Sequence, residues 1–258
     1  MRIAITREVS PSLADCELTH VARTPIDIDK ANAQHRAYQR TLASLGCRVL
    51  TLEAEPMMPD AVFVEDVAVV LDEVAVMTRP GATSRREEGA SVAKVLQRYR
   101  PLCTIEAPGT IDGGDVLRIG RTLYVGQSGR SNAEGIAQLA GAIAEFGYRV
   151  QAVPIRGCLH LKSSVTAVRD DTLLLQPAWV DATSFPGFNI IEVDPDEEHA
   201  ANVLRIGDSV VMPACFPRTQ QRLRDAGIDV VTVDVSELQK AEGATTCCSL
   251  VFTETRSG

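Results

Sequence analysis

Aromatic residues are scarce in this chain of 258 residues, at 4%, and it has a single tryptophan. No apolar run reaches the roughly 18 residues that a membrane-spanning helix needs, and the opening MRIAITREVS has the wrong polarity for a signal peptide. No Lys/Arg block interrupts a balance of 26 basic against 34 acidic side chains, a net charge of −8, which argues against a nucleic-acid or anionic-membrane partner. The same acidity suits a cationic small molecule. There is no Gly-rich phosphate loop of the dinucleotide-binding kind. The seven cysteines, at 16, 47, 103, 158, 215, 247 and 248, show neither a CxxC nor a zinc-ligand spacing, and their odd number speaks against a disulfide framework. Cys16, Cys47, Cys103 and Cys215 read as small buried hydrophobes. With 45% hydrophobic and 23% charged residues, what remains is an ordinary globular protein, expected in the cytoplasm.

A short apolar strand pattern returns five times, at Arg48–Leu52, Cys103–Glu106, Arg149–Val153, Asn189–Val193 and Asp229–Val233, with starts roughly 40 to 55 residues apart. That period belongs to arrays and propellers. VLRIG occurs at both 116–120 and 203–207, each time leading through a turn that begins with Gly (Gly120-Arg121, Gly207-Asp208) into another apolar strand, as in a hairpin. Asp72-Glu73 divides a third hairpin. Capping-box patterns at Ser131–Glu134 and Ser84–Glu87 predict helices after them, and Ala31–Leu45 and Thr219–Ala226 read as two more. The stretch around Trp179–Phe188 carries no clear helix. Five such units, with Arg2–Thr6 pairing with Ser249–Thr253 to remove sheet edges, predict one closed α/β domain over 1–258, a five-bladed pseudosymmetric propeller of ββαβ-type units around a central pocket.

In that arrangement, the linkers between each repeated strand and the next hairpin meet at one end of the ring. They hold Glu65-Asp66, Asp112-Gly113-Gly114-Asp115, His160, Asn202 and Cys247-Cys248. A thiolate is a nucleophile once its proton is removed, an imidazole can move protons, and a carboxylate can orient the imidazole or hold a cation. Neighbouring strand residues face opposite ways, so Glu65 and Asp66 both point inward only from an irregular strand end. His20, His35 and His199 read as surface residues. The pattern leaves the choice between Cys247 and Cys248 open.

The linkers PDAVFVEDVAVV (59–70), TRPGATSRREE (78–88), IDGGDVL (111–117), LHLKS (159–163) and TTCCSL (245–250) resemble those of the dimethylarginine dimethylaminohydrolases, in order and over nearly the whole chain. That family lies in the guanidine-modifying (pentein) superfamily, whose fold is a five-bladed α/β propeller. The resemblance implies hydrolysis of Nω-methylated L-arginine to L-citrulline and methylamine or dimethylamine, with no cofactor and no metal. It implies Cys247 as nucleophile, His160 as acid and then base, and Asp112 as its orienting carboxylate, with Cys248 turned to the core and Cys158 as packing. It further implies Glu65 and Asp66 at the guanidinium, Arg85 and Arg130 at the α-carboxylate, Asp60 and the carbonyl of Leu18 at the α-amino group, and the backbone of Ala241 along the substrate. The loop Pro11–Pro25 resembles the family's mobile lid.

Competing readings are a deiminase or hydrolase of another guanidine or arginine derivative, and a non-catalytic guanidine-binding protein. The length leaves no room for the helical insert of arginine deiminases. Arg85 and Arg130 count against agmatine, which has no carboxylate to meet them, and the joint presence of Cys247, His160 and Asp112 counts against a mere binder. A monomer and a homodimer fit the sequence equally.

Overall fold

A computed structural model describes residues 1–254. It contains five three-stranded sheets of one plan. In four of them a hairpin pairs antiparallel and its second strand pairs parallel with a later strand. These are Ala68–Val70, Ala75–Met77 and Leu102–Thr104; Val116–Ile119, Thr122–Gln127 and Arg149–Pro154; Val165–Ala167, Thr172–Leu175 and Asn189–Glu192; and Leu204–Ile206, Ser209–Pro213 and Asp229–Val233. In the fifth, the hairpin's first strand comes from the other end of the chain. Leu250–Thr253 lies antiparallel to Arg2–Arg7, which runs parallel to Cys47–Leu52, so the predicted closure is present. The repeat read from the sequence is thus the blade of a propeller.

Gly120 and Gly207 take φ of +58° and +65° at the two hairpin turns, a region that costs glycine no Cβ clash. Helices Ile28–Ser44, Gly89–Leu96, Ala133–Ala144 and Pro217–Asp225 cover the crossovers in four units, burying Leu42, Val92, Leu139 and Leu223 respectively. The unit around Trp179 has only a short turn, Ala182–Ser184. None of the helices of the described residues is long and apolar enough to cross a membrane.

Four local expectations are corrected. The cap of Ala133–Ala144 is Asn132, whose side chain accepts from Gly135 N, because Ser131 is drawn inward to Asp115. Ser84–Glu87 forms no box; Thr83–Arg85 is a 3₁₀ turn and the helix starts only at Gly89, since Glu88 folds onto Arg85. His35 is buried against Tyr38, their rings 5.9 Å apart, on the inner face of its amphipathic helix. Cys16 and Cys47 are buried as expected, but Cys103 is half-buried and Cys215 exposed, with Gln239 as its hydrogen-bond partner.

Candidate active site

Glu65 and Asp66 lie in a 3₁₀ turn, Val64–Val67, just ahead of a strand. The turn breaks the alternation of a strand, which is why two adjacent carboxylates can both be buried there. Gly113-Gly114 packs directly against this turn: a Cβ on Gly113 would lie 1.9 Å from Glu65 O, and one on Gly114 would lie 2.5 Å from the His160 ring. Only glycine permits so close an approach.

The resulting contacts form one network. His160 Nε2 stands 2.9 Å from Asp112 Oδ2, and its Nδ1 stands 3.8 Å from Asp66 Oδ1. Asp66 accepts from Gly114 N and, through its other oxygen, from Arg85 at 2.8 Å. Arg85 also donates through Nε and Nη2 to Glu88 and through Nη2 to the carbonyls of Asp60 and Phe63. Asp112, fully buried, also accepts from Gly81 N, and Arg130 lies 3.8 Å from it.

Charge is distributed unevenly across this network. Burial disfavours the imidazolium, but Asp66, Asp115 and Asp112 together outweigh it and raise His160 to about 9. Burial likewise works against the Asp66 carboxylate, yet His160 and Arg85 hold it near 2. Cys247 is pushed up to about 12, by burial first and then by Glu65 and Asp66. Both shifts favour the thiol at Cys247 and the protonated imidazole at His160. The donor atoms of Asp66, Asp112 and His160 all lie within 4.8 Å of one another, a spacing that could also admit a cation.

Cys247 shares a small cavity with His160, Asp66, Asp60, Arg85, Arg130 and Ala241. Its neighbour Cys248 is fully buried in the core beside Tyr38 and Leu238, and Cys158 is buried too. Adjacent residues divide between two spaces: Glu65 and Thr246 line a separate, larger cavity of about 550 Å³. There Glu65 accepts from Lys162 and from Thr246 Oγ1 at 2.7 Å. Of the two acidic neighbours expected together at the guanidinium, only Asp66 lines the Cys247 cavity; Glu65 lines the larger one.

The cavity itself is about 20 Å³, room for little more than a water molecule. The loop containing Leu18 closes it. Glu17 N donates to Asp60 Oδ2, Arg130 donates to Thr19 Oγ1, and the carboxylate of Glu242 accepts from the successive amides of Thr19, His20 and Val21. Glu242 is the one non-glycine residue with positive φ among the described residues, at 57°. Leu18 is half-exposed on this loop.

A family model described as N,N dimethylarginine dimethylhydrolase, eukaryotic, matches residues 20–253. The N(G),N(G)-dimethylarginine dimethylaminohydrolase of Streptomyces coelicolor is 43% identical over 97% of each chain. The chain belongs to the dimethylarginine dimethylaminohydrolase family. Among solved members, the Pseudomonas aeruginosa protein, a cysteine-to-serine mutant complexed with citrulline, superposes with a TM-score of 0.91 at 36% identity, covering 96% of this chain and 98% of that one. A dimethylarginine dimethylaminohydrolase with histidine replaced by glycine, as an adduct with S-methyl-L-thiocitrulline, has a TM-score of 0.92 at 36% identity, covering 98% and 100%. Of the five linkers singled out in the sequence, those of Asp66, Asp112, His160 and Cys247 meet in this network, whereas Asn202 bonds to Thr246 and lines a neighbouring cavity. The sequence reading missed Glu88, Ser131 and Glu242, each of which bonds to a candidate residue or to the lid.

Proposed function

We propose that this protein hydrolyses Nω-methylated L-arginine to L-citrulline and methylamine or dimethylamine, with Cys247 as nucleophile. The observation that carries this reading is the Cys247 cavity, where a buried thiol shares a space with an imidazole raised to about 9 and a carboxylate held near 2. A cationic guanidinium beside Asp66 offsets the negative charge that opposes the thiolate. Substrate binding thus lowers the Cys247 pKa, and the proton leaves to solvent.

The thiolate then attacks the guanidinium carbon. His160, charged and held by Asp112, protonates the departing amine, leaving a thiouronium on Cys247. Neutral His160 next takes a proton from water, the hydroxide adds to the same carbon, and collapse expels the thiolate and leaves the ureido group of citrulline. Arg85 and Arg130 meet the α-carboxylate, while Asp60 and the carbonyl of Leu18 take the α-amino group and the Ala241 backbone flanks the chain. Glu65 acts from outside the Cys247 cavity, through the field it sets at Cys247. All seven cysteines are free, which fits a reducing, cytoplasmic setting.

Release of the ureido product, citrulline from the arginines or N-carbamoylputrescine from agmatine, across arginine, monomethylarginine, symmetric and asymmetric dimethylarginine and agmatine tests the reading. Turnover of monomethyl- and asymmetric dimethylarginine is expected; activity confined to agmatine would refute the α-carboxylate assignment. Thiolate absorbance at Cys247, titrated with and without a substrate-like cation, is expected to appear at lower pH with the cation. A low pKa independent of the ligand would exclude the substrate-assisted step.

A further inference from the structure

Asp115 closes the Asp112-Gly113-Gly114-Asp115 linker and takes no part in the chemistry above. It is fully buried, and its carboxylate makes no ion pair with Lys or Arg among the described residues. Its three partners are instead neutral donors. Oδ2 accepts from Ser131 Oγ at 2.6 Å and from Ser128 Oγ; Oδ1 accepts from the amide of Leu161 at 2.9 Å. Such a carboxylate is costly to bury, so its position calls for an explanation.

Each partner leads to a different site residue. Ser131 Oγ accepts from Asp112 N at 3.2 Å, so that branch sets the backbone of the carboxylate facing His160. Ser128 Oγ accepts from Arg130 N at 3.0 Å and from Ser131 N, so that branch sets the loop carrying the α-carboxylate arginine. Leu161 follows His160 directly, so the third branch fixes the chain beside the imidazole. Two segments distant from each other in sequence, the loop with Ser128 and Ser131 and the chain at Leu161, end on one carboxylate.

We infer that Asp115 is a positioning residue that aligns Asp112, Arg130 and His160 with one another through Ser131, Ser128 and the Leu161 amide. The inference rests on the methylarginine hydrolysis proposed above. Ionised, the carboxylate accepts all three hydrogen bonds at once, each stronger than one to a neutral acceptor. Its two serine branches serve different steps, Ser131 the proton transfer and Ser128 the recognition of the substrate's carboxylate end.

The serine variants separate these roles. Ser131→Ala is expected to lower kcat about tenfold with KM within about twofold, and Ser128→Ala to raise KM about tenfold with kcat within about twofold. Asp115→Asn loses both and is expected to lower kcat about 10- to 100-fold while raising KM, the range typical of partners that orient a functional group. A carboxylate that served packing alone would move melting temperature without this split. Identical kinetic changes in the two serine variants, or none in either, overturn the inference. So does a folded Asp115→Asn protein with wild-type kcat and KM; if that variant does not fold, the serine pair decides. Should the wild type turn over none of the arginines, the reaction reading fails separately, and the His160 imidazole proton signals decide this one. They are expected to shift in Ser131→Ala and stay in Ser128→Ala, and no shift in Ser131→Ala overturns the inference.

Discussion

The two sides of the Cys247 cavity are built on different principles. One is a wall of linkers from neighbouring blades, where Asp66, Arg85, Asp112 and His160 are each at most 4% exposed and bonded to one another. The other is the loop around Glu17–Val21, exposed and held through backbone amides by Asp60 and Glu242. The wall is organised before any ligand arrives, so it can stabilise charge without rearranging. The loop side borrows Asp60 and Arg130, groups assigned to the substrate, and must release them for entry. On the proposed mechanism, chemistry belongs to the first side and access to the second.

The largest effect is expected on the wall. Cys247→Ser removes the thiolate and should lower kcat by on the order of 10³-fold or more, while leaving the lid and the binding of citrulline largely as they are. Single-turnover release of citrulline at the wild-type rate by this variant would break the division between the two sides at its root.

Two buried histidines, His160 in the wall and His35 outside the cavity, should answer pH in opposite directions. His160 in the wall is raised to about 9 from an ordinary 6.5, so its charged form stabilises the fold below 6.5 and that contribution is lost as pH rises through 9. His35 is stacked on Tyr38, in a core that holds Leu13 and Cys16 as well as Cys247 and Cys248. Burial lowers it to about 4, so its neutral form stabilises the fold above 6.5 and the contribution, about 3 kcal/mol, is lost as pH falls towards 4. Urea midpoints across pH 4 to 9 should fall at both ends. In His35→Phe the acid arm should flatten while the alkaline arm stays; loss of both arms together would show that the two regions do not titrate independently.

The wall was more legible in the sequence than the lid, and the reason is physical. Buried carboxylates interrupting apolar strands, as Glu65-Asp66 does in FVEDVAVV, are expensive enough to stand out, and the paired glycines of Asp112–Asp115 mark a close approach. Propeller repetition was visible because the apolar strands recur at a steady period, and two of the hairpins share the VLRIG run with its turn glycine. Side-chain destinations were less visible. Ser131 looked like a helix cap because a serine before a helix usually is one; only the buried Asp115 redirects it. His35 looked like a surface histidine because one polar residue does not reveal which face of Ile28–Ser44 turns inward. Glu242 carried no signal at all, since a left-handed glutamate is fixed by the loop it receives, 221 to 223 residues away.

The smallest effect tests that last residue. Glu242 accepts from three consecutive lid amides while holding φ at 57°, a conformation that costs a non-glycine residue roughly 1 kcal/mol. Its carboxylate must therefore return more than that in hydrogen bonds. Partly exposed bonds of this kind contribute about 1 kcal/mol each at most, so the latch is worth only a small multiple of RT. Glu242→Gln keeps the backbone and one acceptor oxygen but loses the charge, and should weaken closure by about 1 kcal/mol, or roughly fivefold. The consequence falls on KM and on protease cleavage within 17–21, both rising several-fold, with the Cys247 thiol titration unchanged. A Glu242→Gln enzyme with unaltered KM and cleavage but a shifted thiol pKa would reverse the assignment, placing Glu242 with the charged wall and leaving the lid to Asp60 and Arg130 alone.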